Sequence, residues 1–274
     1  MKRAYISVDI EGMADVMTGL SVSRSGPDFA VARKRLAKDV NAAVRACFDS
    51  GYEEVVACDG HADMENLIIE DLDPRVLLIS GAMRSSLQMQ GIEEGFDAYI
   101  SFGHAGAGQN IDGVLNHCYN GGKIYNLRLN GQTMNTETVF NAAIAGHYGV
   151  PLVAVIGDEA VCREVKAFVP NVEGIAVKRG YSRYCAVSVH PEKAAQMIYD
   201  GVMAGLKRRD EIKPLALPEP LAMEIDFKDT GCADSASLVP GVQRLAPRTV
   251  RFEGDAETVF KVQTLLIYRL VDRL

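Results

Sequence analysis

An α/β fold is predicted, with a mostly parallel sheet flanked by helices and a smaller C-terminal α/β subdomain. Three observations lead to it. Short apolar or β-branched runs alternate with longer stretches carrying apolar residues at three- and four-residue spacing. Acids or histidines follow several of the apolar runs, which is where open parallel sheets place their ligands. A proline-dense stretch, Lys213-Pro214 through Pro218-Glu219-Pro220, then separates a long alternating part from a short tail. The expected organisation is a catalytic α/β domain over 1–215 and a smaller subdomain over 216–274 that serves assembly or support.

The first strand is read from Ala4-Tyr5-Ile6-Ser7-Val8, rich in residues that suit a buried strand. Ser25-Gly26-Pro27-Asp28 is a helix start. Phe29, Ala32, Leu36, Val40, Ala43 and Cys47 then form one apolar stripe ending at Ser50-Gly51. A strand over 53–58 leads into Asp59-Gly60-His61. A short helix over 63–72, a strand over 75–80 and a helical stretch near 85–91 precede the strand 97–102, which ends in Gly103-His104. Ile124 to Leu129 reads as one arm of a hairpin turning at Asn130-Gly131. A helix begins near Asn135-Thr136-Glu137, and Pro151 to Ile156 is a fully apolar strand whose successor, Gly157-Asp158-Glu159, opens another helix. A short strand over 175–178 and an amphipathic helix over 191–206 complete the larger part. The tail reads as strand 221–227, helix 233–238, strand 248–252 and a final helix 256–274.

The composition narrows the function. With a net charge of −7 and a pI near 5.3, the surface does not suit a phosphate-backbone partner, so no nucleic acid is expected. No apolar run approaches the ~20 residues needed to span a bilayer, and Asp9 and Glu11 interrupt any signal-like apolar core. Six scattered cysteines without a CxxC pair read as thiols of a reducing compartment, which places the protein in the cytoplasm.

The chemistry is expected at the strand ends. Asp9 and Glu11 lie two apart at the tip of the first strand and so face one point, where two anions repel unless a cation sits between them. His61 and His104 follow two further strands and converge on the same edge of the sheet. Carboxylates mixed with imidazoles suit a borderline ion such as Zn²⁺ better than Mg²⁺ or Ca²⁺. Counting Glu137 and His117, the donors are too many for one tetrahedral site and suit two metals. Taken alone, Glu137 is a helix-start acid, and His117 is either hairpin packing or an acid/base group. His147 and His190 are read as surface residues and Asp158 as a helix cap. The glycines of 103–108 match no nucleotide fingerprint, and no GK[ST] loop occurs.

Ser7-Val8-Asp9-Ile10-Glu11-Gly12, Asp59-Gly60-His61, Gly103-His104-Ala105, Gly113-Val114-Leu115-Asn116-His117 and Glu137 through Asn141-Ala142 carry a resemblance over nearly the whole chain. The sequence resembles the zinc-dependent D-aminopeptidases of peptidase family M55. The resemblance implies a dinuclear zinc site; by coordination chemistry alone Mn²⁺ or Co²⁺ could fill the same donors, since geometry and supply decide. Asp9 would bridge the ions, Glu11, His61, His104 and Glu137 would complete the shells, and His117 would be the catalytic histidine. It also implies a homo-oligomer, a decamer of two stacked pentamers, acting on small peptides. The expected reaction is removal of an amino-terminal, D-configured residue. Two-metal phosphate-ester hydrolysis and metal-dependent peptide binding without turnover are the alternatives.

Overall fold

The computed structural model describes residues 1–270, and its first strand, β1 (Arg3–Val8), runs buried through the interior of the main sheet. In chain order follow a one-turn helix α1 (Gly19–Val22), α2 (Phe29–Asp49), β2 (Glu54–Asp59), β3 (Leu77–Ile79), β4 (Ala98–Phe102), β5 (Ile124–Leu129) and β6 (Gln132–Thr133). Next come α3 (Glu137–His147), β7 (Leu152–Asp158), α4 (Glu159–Phe168), β8 (Glu173–Ser182), β9 (Cys185–Ser188) and α5 (Pro191–Lys207). The C-terminal part holds β10 (Leu221–Phe227), α6 (Thr230–Ala236), β11 (Gln243–Ala246), β12 (Thr249–Gly254) and α7 (Ala256–Thr264).

The main sheet has the order β3-β2-β1-β4-β7-β8-β9, and every pairing in it is parallel except β8 with β9. The chain thus builds outward from β1 on one side, returns, and builds outward through β4 on the other. The carboxyl ends of β1 and β4 therefore border the crevice where strand order reverses, the usual ligand position in such sheets. β7 is buried along its whole length, its apolar run Leu152 to Ile156 filling the interior and Asp158 buried at its end. The predicted stripe of α2 is buried at all six positions, and α2 packs on α5.

The second sheet, β11-β12-β10-β5-β6, is antiparallel throughout. It joins strands of the C-terminal part to the β5–β6 hairpin from mid-chain, since β10 lies between β12 and β5. The chain is therefore α/β with a mostly parallel main sheet and a smaller sheet beside it.

Several elements differ from the expectation. The segment 63–72 contains only a single 3₁₀ turn, Ile69–Asp71. The Asp59 carboxylate accepts the N–H groups of Asn66 (2.5 Å) and Leu67 (2.7 Å), while Ala62 and Met64 adopt positive φ, so the segment coils around that acid. The stretch near 85–91 is likewise one turn, Leu87–Met89, with Leu87 itself at φ 46°. β8 is ten residues long, not four, because beyond Lys178 it continues as an exposed arm paired only with β9. β11 is exposed at every position and so has no apolar alternation to betray it. The last helix turns π-helical over Leu265–Arg269, and the predicted positions 271–274 lie outside the described residues.

The tips of β1 and β4 are joined where Gly12 N–H donates to the Gly103 carbonyl at 2.5 Å. Gly103 has φ +75°, and a Cβ there would stand 2.2 Å from the Asp9 carbonyl oxygen. Gly103→Ala is expected to cost more than about 1 kcal/mol from backbone conformation alone, with the clash added. A thermal melt unchanged from wild type would contradict this.

Candidate metal centre

Asp9 continues β1, His61 follows β2 and His104 follows β4, so the sheet itself delivers three groups to one edge. Glu137 opens α3 and arrives from a different direction. The Asp9 carboxylate is the hub: its Oδ1 lies 2.9 Å from His61 Nδ1, and its Oδ2 lies 3.2 Å from His104 Nδ1. Glu11 Oε2 approaches His61 Nδ1 at 3.1 Å, and Glu137 Oε2 approaches His104 Nδ1 at 3.2 Å. All five side chains are buried, Asp9 being 3% exposed and His104 fully enclosed.

Two donor trios result, Asp9-Glu11-His61 and Asp9-His104-Glu137, and within each the donor atoms lie within 4.8 Å of one another. Each trio mixes carboxylate with imidazole, a set suited to a borderline divalent ion. Both imidazoles turn Nδ1 inward, and outer partners hold the other nitrogen. His61 Nε2–H donates to the Val22 carbonyl at 2.7 Å. His104 Nε2 shares a hydrogen bond with the Ser7 hydroxyl at 2.9 Å, and that hydroxyl is 2.7 Å from Tyr99 Oη. Such outer contacts fix the tautomer and ring orientation of a metal-binding histidine. The cluster can therefore hold metal.

Electrostatics lead to the same place. Burial and the nearby Glu11 raise the pKa of Asp9. Burial opposes ionisation of Glu11 and Glu137 as well, yet His61 draws Glu11 well below the carboxylate range, and His104 with His117 lowers Glu137. Burial also opposes protonation of the imidazoles, and the carboxylates override it. His61 is raised well above its ordinary value, His104 is raised to about 10, and His117 is raised by Glu137 and Glu11. Three buried acids thus demand positive charge, which protonated imidazoles or divalent cations can supply.

His117 stands apart from both trios. Its Nδ1–H donates to the Leu115 carbonyl at 2.8 Å, which leaves Nε2 facing the cluster, 3.5 Å from Glu137 Oε1. Its side chain is 16% exposed and lines the cavity over the centre. Asp158 caps α4 by accepting from Val161 N–H at 2.8 Å, and it also accepts from Val114 N–H. His190 is exposed and His147 contacts Glu219, so neither reaches the cluster.

Several supporting residues escape sequence reasoning. Gln88 Nε2 donates to Glu137 Oε2, and the backbone N–H of Tyr119 donates to Glu137 Oε1 at 2.7 Å. Lys178, buried in β8, donates to the carbonyls of Glu11 and Val16, and burial lowers its pKa to about 8. Ser7 alone carried a readable signal: it lies two residues before Asp9 on the same strand face, where a polar group inside a buried run needs a partner.

The cavity over the centre has a volume of about 510 Å³ and is also lined by Tyr268 and Arg269. The C-terminal segment reaches it by docking on the loop that follows His117. Tyr268 Oη–H donates to the Tyr119 carbonyl, and Asn120 Nδ2–H donates to the Ile267 carbonyl, both at 3.4 Å.

Comparison with known proteins agrees with this architecture. A profile of the M55 peptidases, described as D-aminopeptidase, matches residues 1–265. A D-aminopeptidase of Bacillus subtilis (strain 168) is 30% identical over 254 residues, spanning 92% of this chain and 91% of the relative. A solved structure described as "Zn-dependent D-aminopeptidase DppA from Bacillus subtilis, a self-compartmentalizing protease" superimposes with a TM-score of 0.95 at 28% identity, covering 99% of this chain and 98% of the other. With its fold, its buried carboxylate–imidazole cluster and a profile match over almost its entire length, this chain belongs to peptidase family M55, the D-aminopeptidases.

Proposed function

We propose that the chain is a dinuclear zinc aminopeptidase that removes an amino-terminal, D-configured residue from short peptides. The observation that carries the reading is the Asp9 carboxylate, whose two oxygens face two separate donor trios. Asp9 would bridge the ions, Glu11 and His61 would complete one shell, and His104 and Glu137 the other. Mn²⁺ or Co²⁺ could fill the same donor set, since supply and geometry govern occupancy. When bound, the pair supplies Lewis acidity for the scissile carbonyl and brings a water molecule's pKa toward neutrality.

The chain's own residues do the rest. The Leu115 carbonyl holds the His117 ring so that Nε2 points into the cavity. From there Nε2 can stabilise the developing oxyanion or hand a proton to the leaving amine. Gln88 and the Tyr119 N–H keep Glu137 aimed at the centre.

The test is elemental analysis together with a parallel screen of D-Ala-D-Ala, L-Ala-L-Ala and p-nitrophenyl phosphate. Two zinc equivalents per chain and turnover of the D-dipeptide are expected. Preferential phosphate-ester hydrolysis would replace the peptidase reading, and peptide binding without turnover would make the protein a metal-dependent binder. Chelation is expected to abolish activity and lower the melting temperature, because the cations bind only the assembled site. A chelated protein that melts as before would argue against cations in the buried cluster.

The reading extends to assembly and location. We place residues 1–215 in the catalytic body and 216–274 in a supporting subdomain, within a cytoplasmic homodecamer of two pentamers. The description of the structural relative as self-compartmentalizing supports an oligomer, and no helix among the described residues is long and apolar enough to cross a membrane. A native mass of ten 29.7 kDa chains is expected in light scattering.

A further inference from the structure

We propose that Arg269 is a specificity-determining residue that binds the free carboxylate of the peptide substrate, so that the enzyme selects very short peptides with an unblocked carboxyl end. The inference rests on the aminopeptidase reading above and deepens it. Among the described residues lining the cavity, Asp9, Glu11, Asp63 and Glu137 are carboxylates, and Arg269 is the only lysine or arginine. Its position is built rather than incidental. The C-terminal segment is anchored to the loop after His117 through Tyr268 on the Tyr119 carbonyl and Asn120 on the Ile267 carbonyl. The same Tyr119 donates its N–H to Glu137. The wall that carries Arg269 is thus tied to the wall that carries the metal-binding acid.

Arg269 is half-buried, and among the described residues it forms no ion pair. Asp63, the one lining acid outside the metal cluster, is already bound to Arg24 at 2.9 Å. A guanidinium drawn partly out of water is stabilised when an anion joins it. Its planar fork matches a carboxylate with two parallel hydrogen bonds, which a neutral amide or ester does not reproduce. In a di- or tripeptide the terminal carboxylate is a few bonds from the scissile amide, so one cavity can hold both ends. In a longer peptide the carboxylate lies elsewhere, and the guanidinium meets neutral backbone. The residue would therefore read peptide length and a free terminus together.

The test compares D-Ala-D-Ala with its carboxamide on the zinc-loaded full chain, for wild type, Arg269→Gln and Arg269→Lys. Wild type is expected to favour the free acid by about 10- to 100-fold in kcat/KM, the range expected for a charged hydrogen-bonded pair. In Arg269→Gln that ratio is expected to fall toward one through a raised KM for the acid, with kcat for the acid little changed. Arg269→Lys, which keeps the charge without the fork, should recover part of the preference. Calorimetric binding of the same two ligands to the metal-free proteins gives the acid-over-amide ratio without turnover. A wild type that does not distinguish acid from amide, or an Arg269→Gln that keeps the preference, overturns the proposal. If wild type hydrolyses neither compound, the aminopeptidase reading fails, and the binding ratio still decides the role of Arg269. Equal losses on acid and amide, with a lowered melting temperature, would assign Arg269 to packing and overturn it too.

Discussion

Replacing His117 with alanine is expected to lower kcat by about 10²- to 10⁴-fold, the usual contribution of a positioned acid/base group, while zinc content stays at the wild-type level. The two outcomes separate because the imidazole stands outside both donor trios. Its nearest approach to the cluster is 3.5 Å to Glu137 Oε1, and its other nitrogen is occupied by the Leu115 carbonyl. The positive φ of Leu115 (51°) is part of the turn that makes this contact. Elemental analysis beside single-turnover kinetics checks the prediction. If the variant loses metal in step with activity, His117 is a ligand and a different residue must handle the proton.

The second large effect is expected at Asp9. Asp9→Asn keeps the size of the side chain but leaves one acceptor oxygen and one donor amide in place of two equivalent oxygens. Since Oδ1 faces His61 and Oδ2 faces His104, the amide must turn its NH₂ toward one of the two trios. Both trios lose the shared negative charge, and the one that meets the NH₂ loses its acceptor atom as well. Occupancy is expected to fall to one ion or fewer per chain. Activity should fall on the order of 10³-fold, since several kcal/mol of transition-state stabilisation depend on the pair. Asp9→Asn with two zinc equivalents and near-normal kcat would remove the bridging role. Comparison with Glu11→Gln, which touches only the His61 trio, adds a control in which a single ion should be lost.

These predictions depend on residues of different legibility. Strand spacing groups Asp9 with Glu11, but β1 ends at Val8 and Glu11 lies in the turn beyond it, so the turn rather than the strand repeat brings the two carboxylates together. His61 and His104 could be placed at the same edge because parallel strands all end there. Glu137 offered no such argument, for an acid in the first turn of a helix is ordinary. Only the packing of α3 against β4 and β7 brings its carboxylate to His104. Gln88 was harder still: it sits in a 3₁₀ turn with positive-φ backbone at Leu87 and Gly91, in a stretch read from the sequence only as helical. The arm of β8 and the exposed β11 escaped notice because periodicity reports buried apolar side chains, and beyond Lys178 only Gly180, which has none, is buried in either.

The sequence by itself determined the alternation of strands and helices, the carboxyl-edge position of Asp9, Glu11, His61 and His104, and the family. Each follows from short-range patterning or from motifs that survive as contiguous residues. Tertiary structure alone decided three things: that Asp9 divides its oxygens between two histidines, that His117 turns Nε2 inward, and that the C-terminal segment brings Arg269 to the same cavity. The physical reason is range. Hydrophobic periodicity acts over a turn or a strand, whereas side-chain orientation and the meeting of residues 9, 117 and 269 depend on how separately formed elements pack.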